Sequence, residues 1–106
     1  MDSENNRLLL IINPVSGTSN KKELADKITS RLSAEGFEVE TALTACRGDA
    51  TRLARLAVDN GMAGVLACGG DGTVNETARA LCGTDVSLGI IPAGSGNGLA
   101  RHLGIP

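Results

Sequence analysis

Aromatic side chains are almost missing from this chain, which has one Phe, no Tyr and no Trp. Without them there is no stacking platform for nucleic-acid bases, and the core must be built from Leu, Ile, Val and Ala. A dominant charge is missing too. Ten Lys and Arg stand against twelve Asp and Glu, for a formal net charge of −2. That balance argues against nucleic acid or a strongly anionic surface as the main partner. No apolar run is long, and the stretch from Leu8 to Ile12 is far too short for a signal segment or a membrane span. Cys46, Cys68 and Cys82 show no C-x-x-C spacing, and an odd count without a framework fits reduced thiols in the cytosol. The single histidine, His102, lies beside Arg101 in an expected short helix, where a cation near the C-terminus is favourable without any function. At 106 residues the chain is long enough for one core and too short for two. It reads as one cytoplasmic domain.

What the chain does have is glycine, 14 of its 106 residues, against an average usage of about 7%. Most of them follow apolar runs, which points to turns that ligands approach rather than to disorder. The runs alternate with helical patterns. Strands are predicted over residues 7–13, 37–44, 64–68 and 86–91. Helices are predicted over 21–35, 49–60, 74–82 and 99–103. In the first helix Leu24, Ile28 and Leu32 share a face, with Asn20 as N-cap, Glu23 at N3 and Gly36 closing it. In the second, Leu53, Leu56 and Ala57 are expected to point inward, with Gly61 beyond the end. Strands separated by helices of this length imply βαβ units, hence a three-layer α/β/α domain with a parallel sheet of four strands. The strand order expected is 2-1-3-4.

The densest chemical signal is Gly69-Gly70-Asp71-Gly72-Thr73, between an apolar strand and a helix. Thr73 followed by Glu76 has capping-box spacing, so the helix is predicted to start directly after the glycines. A strand, a turn poor in side chains and a helix N-terminus make an anion site, because backbone N–H groups converge there and the helix dipole favours negative charge. The glycines are expected to allow positive φ and close ligand approach. Three other unusual loops follow the other strands: Asn13-Pro14-Val15-Ser16-Gly17, Thr44 through Gly48-Asp49-Ala50, and Pro92-Ala93-Gly94-Ser95-Gly96-Asn97. In an open parallel sheet all four lie at the carboxyl edge, where ligands bind. Neither a Gly-Lys-Ser/Thr P-loop nor a G-x-G-x-x-G after the first strand is present.

In these four loops the chain resembles the catalytic domain of the diacylglycerol kinase and sphingosine kinase family, including the bacterial YegS-like lipid kinases. The resemblance covers essentially the whole chain. Asn13-Pro14-Val15-Ser16-Gly17 resembles the family's first ATP loop, N-P-x-S-G. Thr44 with Gly48-Asp49-Ala50 resembles T-x-x-x-G-D-A. Gly69 through Glu76 is similar to G-G-D-G-T-x-N-E, and Pro92 through Asn97 to P-x-G-[ST]-x-N. The resemblance implies a fold like that of phosphofructokinase and NAD kinase. It implies ATP and Mg²⁺ as cofactors, and transfer of the γ-phosphoryl group to a lipid hydroxyl, diacylglycerol- or sphingoid-like. The nucleotide contacts it implies are Asn13, Pro14, Val15, Ser16, Gly17, Thr44, Gly69, Gly70, Asp71, Gly72, Thr73, Val74, Asn75, Glu76, Gly94, Ser95 and Asn97. Asp71 takes the catalytic or Mg²⁺-linked role, and no metal ligand set is assigned. The family continues into a second, largely β domain that carries the lipid cleft, the general base and further acidic residues. Residues 1–106 are therefore expected to be the N-terminal nucleotide-binding domain, inactive alone, with any peripheral membrane contact made elsewhere.

Structural readings stand beside these. Asp71 could close its turn through an Asx-type bond, Ser16 and Ser95 could be turn hydroxyls, Thr44 is an ordinary strand-end residue, and capping alone explains Glu76. Cys68 and Cys82 read as small core residues. Two other functions share the pattern. One is a non-catalytic nucleotide-binding or regulatory module. The other is an NAD-kinase-like enzyme, against which the loop at 92–97 argues.

Overall fold

The computed structural model describes residues 5–13 and 21–92. Its elements run β1 (Arg7–Ile12), α1 (Lys21–Ala34), β2 (Glu38–Leu43), α2 (Asp49–Asp59), β3 (Gly64–Gly69), α3 (Asp71–Leu81) and β4 (Ser87–Pro92). The four strands form one parallel sheet in the order β2-β1-β3-β4, as expected. The expected helix over 99–103 and the Asn20 cap lie outside the described residues.

The central strands are those whose sequences are apolar at nearly every position. Leu9 to Ile12 and Gly64 to Cys68 are buried along their whole length, because helices cover both faces of the sheet. β2 is exposed instead at Glu38, Glu40, Thr41 and Leu43 and only half-buried at Val39 and Ala42, which suits an edge strand. One face of the sheet packs Leu10, Ile12, Leu66, Cys68 and Ile91 against Leu24, Ala25, Ile28 and Leu32 of α1. The other packs Leu9, Ile11 and Val65 against Ala50, Ala54 and Ala57 of α2 and Leu81 of α3. The result is the three-layer α/β/α arrangement read from the sequence.

Helix ends follow the glycine signals. After α1, the Phe37 N–H donates to Leu32 O and the Gly36 N–H to Ser33 O. After α2, Met62 and Gly61 repeat this with Ala57 and Val58. Both pairs are Schellman bonds around a glycine at positive φ, and Phe37 and Met62 fold back onto the core. Arg7 adds a cation at the end of α2, its guanidinium donating to Asn60 O at 3.0 Å.

Two expectations need correction. Leu56 does not point inward; it is 46% exposed. The buried stripe of α2 is Ala50, Ala54 and Ala57, with Leu53 half-buried, and Leu56 lies about 100° round the helix from Ala57. Small residues on the stripe let the helix approach the sheet closely. Cys82, expected in the core, is exposed beyond the end of α3, whereas Cys68 is buried as read.

This difference in burial is testable. Ile28→Ala should cost about 2–5 kcal/mol. Leu56→Ala should change stability by no more than about 0.5–1 kcal/mol. Urea unfolding of both variants checks this, and equal losses would contradict the rotation of α2 described above.

Candidate functional site

The strand order places a topological switch between β1 and β3. The chain leaves β1 toward α1 on one face and leaves β3 toward α3 on the other, so a crevice opens between the two exits. A cleft of about 280 Å³ lies there, lined by Asn13, Thr44, Ala45, Cys46, Arg47, Gly72, Thr73 and Glu76. The end of β1, the loop after β2 and the first turns of α3 thus meet at one hollow.

Backbone pairing holds the rim in register. The Asn13 N–H donates to Cys68 O at 3.1 Å and the Thr44 N–H to Ile12 O at 2.9 Å, extending the ladder one residue beyond each strand. Thr44 is therefore a strand-end residue that also faces the cleft. At Gly69 the reason for glycine is a close approach. A Cβ there would lie 3.0 Å from Thr73 Oγ1 and 3.3 Å from Asn13 Cβ. Gly69 thereby lets the end of β1 and the start of α3 close on the end of β3.

The helix after the glycines begins earlier than predicted. α3 starts at Asp71 with Gly70 as N-cap, and no side chain caps it. Thr73 is its third residue, 6% exposed, and the capping box with Glu76 does not form. The physical reason is that glycine caps a helix nearly as well as the polar residues do. Positive φ is not the role of these glycines either. Gly70 is extended at φ −86°, and positive-φ glycines among the described residues are Gly36, Gly48, Gly61 and Gly83. What results is an exposed, uncapped helix start. The N–H groups of Asp71, Gly72 and Thr73 precede the first bond of the helix, from Val74 N–H to Gly70 O. A Cβ on Gly72 would touch nothing within 4 Å. Asp71 is exposed at this start and forms no cap; Asn75 is exposed and Val74 half-buried one turn on.

Freed from capping, Glu76 reaches across to α2. Its Oε2 accepts from the Gly48 N–H at 3.1 Å, and Thr51 Oγ1 donates to its carbonyl at 3.1 Å. A second carboxylate works from inside the loop. Asp49 Oδ2 accepts from the Ala45 N–H at 2.7 Å and the Cys46 N–H at 3.2 Å. Its Oδ1 takes a longer contact from Arg52 at 3.4 Å. The Ala45 amide is the largest influence holding the Asp49 carboxyl below its ordinary 3.8. Partial desolvation opposes it, and Cys46 and Arg52 assist.

Ala45, Cys46 and Arg47 line the cleft but were not among the residues read from sequence, because they fill the unspecified positions of T-x-x-x-G-D-A. Asp49 was visible as part of that motif, yet its partners were not. Pro14, Val15, Ser16, Gly17, Gly94, Ser95 and Asn97 lie outside the described residues. Among the described residues no group of three or more His, Cys, Asp or Glu gathers to hold a metal, and no helix is long and apolar enough to cross a membrane.

Comparison with known proteins identifies the family. The model of the diacylglycerol kinase catalytic domain matches residues 7–106. The chain belongs to that family. It is 39% identical over 102 residues to the diacylglycerol kinase of Bacillus subtilis (strain 168), covering 94% of this chain and 34% of that protein. It is 41% identical over 102 residues to the Escherichia fergusonii protein named "Probable lipid kinase YegS", covering 92% and 33%. A crystal structure of a diacylglycerol kinase from Bacillus anthracis str. Sterne superposes with a TM-score of 0.74 at 31% identity, over 99% of this chain and 39% of that one. A solution structure of a phosphate-loop protein, at TM-score 0.65 and 18% identity over 91% of this chain and 84% of that one, shares the fold. The chain spans about a third of the length of the curated relatives it matches.

Two outcomes follow from the site. Gly69→Ala should destabilise by about 1–3 kcal/mol through overpacking, whereas Gly72→Ala should be neutral or stabilising, as read by urea unfolding. For Asp49, a folded-state pKa below the unfolded value means the folded protein binds this proton less readily. Its contribution is full above about pH 4 and is lost as pH falls through the lower folded value. The melting-temperature gap between wild type and Asp49→Asn should therefore be widest near neutral pH and close in acid. A gap that widens on acidification would reverse the sign.

Proposed function

We propose that the chain is the nucleotide-binding part of an ATP-dependent lipid kinase, and that ATP occupies the cleft at the β1/β3 switch. The observation that carries this reading is the uncapped start of α3 at the cleft wall. Phosphate oxygens would accept from the Asp71, Gly72 and Thr73 amides, and the helix dipole favours their charge. Space beside Gly72 leaves that approach open. The nucleoside would extend toward Asn13 and Thr44, across residues lining the same cleft.

The reaction is transfer of the γ-phosphoryl group to a lipid hydroxyl. Catalysis of this kind rests on clamping the phosphates, in-line positioning and charge stabilisation. Mg²⁺ would supply charge neutralisation on the phosphate oxygens when bound, and Asp71 is the carboxylate at the helix start suited to orient it or the acceptor. Family membership supports the kinase reading, and the names of the relatives support a lipid acceptor of the diacylglycerol type. The remaining site residues, a second β-rich domain and the cytoplasmic setting belong to this proposal. Within it the chain binds nucleotide but does not phosphorylate lipid by itself.

Gly72→Asp separates binding from folding. An aspartate in the first turn of a helix favours the helix, and nothing crowds the position, so the variant should melt no lower than wild type. Its charge nevertheless stands where phosphates would bind. ATP and ADP affinity, measured by calorimetry with Mg²⁺, should fall by at least about tenfold. Equal affinity in the two proteins would remove the phosphates from this helix start. Phosphorylation of NAD in place of diacylglycerol by the protein bearing this chain would favour the NAD-kinase-like alternative.

A further inference from the structure

The loop after β2 has lent most of its amides to carboxylates. Of the N–H groups that follow Thr44, those of Ala45 and Cys46 are held by Asp49, and that of Gly48 by Glu76. A turn with converging free amides would itself attract an anion. Here those donors face the protein, and the loop turns Ala45, Cys46 and Arg47 toward the cleft. Gly48, at φ +94°, brings the chain round so that Asp49, the first residue of α2, looks back on the residues it holds. The Asp49 side chain is only 14% exposed, whereas its Arg52 partner is 60% exposed. The two backbone amides, not the ion pair, are therefore its main attachments.

We propose that Asp49 is a positioning residue for the nucleotide cleft: its carboxylate, without touching the ligand, fixes the loop wall and leaves the start of α3 as the cleft's phosphate-binding end. The proposal rests on the nucleotide reading above. It assigns to Asp49 a task distinct from that of Asp71, which stands exposed at the helix start. The two carboxylates of the loop wall, Asp49 and Glu76, each have backbone N–H partners of their own beside the anion site. Glu76 serves the same wall from α3, with Thr51 fastening the backbone of the two helices.

Asp49→Asn is nearly isosteric but uncharged. Its carbonyl oxygen can take the place of Oδ2, which both amides share, yet as a neutral acceptor it holds them by weaker bonds, and its NH₂ is turned on the Arg52 guanidinium. ADP with Mg²⁺ is the probe, by calorimetry, at a temperature where melting curves show each variant folded. Amide hydrogen exchange at Ala45 and Cys46 is followed in parallel. We expect ADP affinity to fall by about tenfold in Asp49→Asn, through lost preorganisation. Exchange at Ala45 and Cys46 should accelerate, while that of the central strands stays unchanged. Arg52→Ala should bind ADP within about twofold of wild type, since the pair it removes is largely exposed. If Asp49→Asn fails to fold, Asp49→Ser, too short to reach both amides, is read by the same criteria. Unchanged ADP affinity in the variant, or unchanged exchange at the two amides, overturns the assignment alone. Absence of ADP binding by the wild type overturns the nucleotide reading and this assignment with it.

Discussion

Strands β1 and β3 lie side by side, buried on both faces, and send the chain in opposite directions when they end. Every feature of the site depends on that divergence. A crevice between two exits needs no specialised residues to create it, only a parallel sheet whose order reverses at its centre. The ladder bonds at Asn13 and Thr44 carry the sheet's rigidity to the rim of the cleft. Gly69 allows the approach of Asn13 and Thr73 that narrows it. The core supplies the rigidity, and the loops supply the chemistry.

Backbone groups are divided unequally around this cleft. At the start of α3 no side chain caps them. Across the cleft they are engaged by Asp49 and Glu76. A glycine cap and a carboxylate brace therefore have opposite effects on donors that are chemically the same. The first offers amides to a ligand and the second withdraws them. Such a division gives an elongated anionic ligand a direction, because one end of the cleft presents N–H groups and the other presents side chains.

Family membership and fold agree. The diacylglycerol kinase catalytic domain matches residues 7–106 of the chain. The backbone superposes on a diacylglycerol kinase at 31% identity. The likeness to a phosphate-loop protein at 18% identity concerns architecture only.

Much of the architecture was legible in the chain. Local periodicity separates apolar strands from amphipathic helices, glycines mark the helix ends, and alternation without breaks forces a parallel sheet. That is why the element order and the convergence of Asn13, Thr44 and Gly72 follow from the sequence, whereas the strand order, which alternation leaves open, only agrees with the expected one. The exceptions share a cause. Glu76 was read as a cap because Thr73 stood three residues before it, but its partner is Gly48, 28 residues away. Leu56 was read as core because it is apolar, but the stripe facing the sheet is made of alanines. Asp49 showed itself as a motif letter, not as the holder of two amides. The sequence by itself determined which of the described segments are strands and helices, because that follows from neighbours along the chain. Only the tertiary structure decided which carboxylate meets which amide. Such pairing depends on the distance between segments remote in sequence, and no local pattern encodes it.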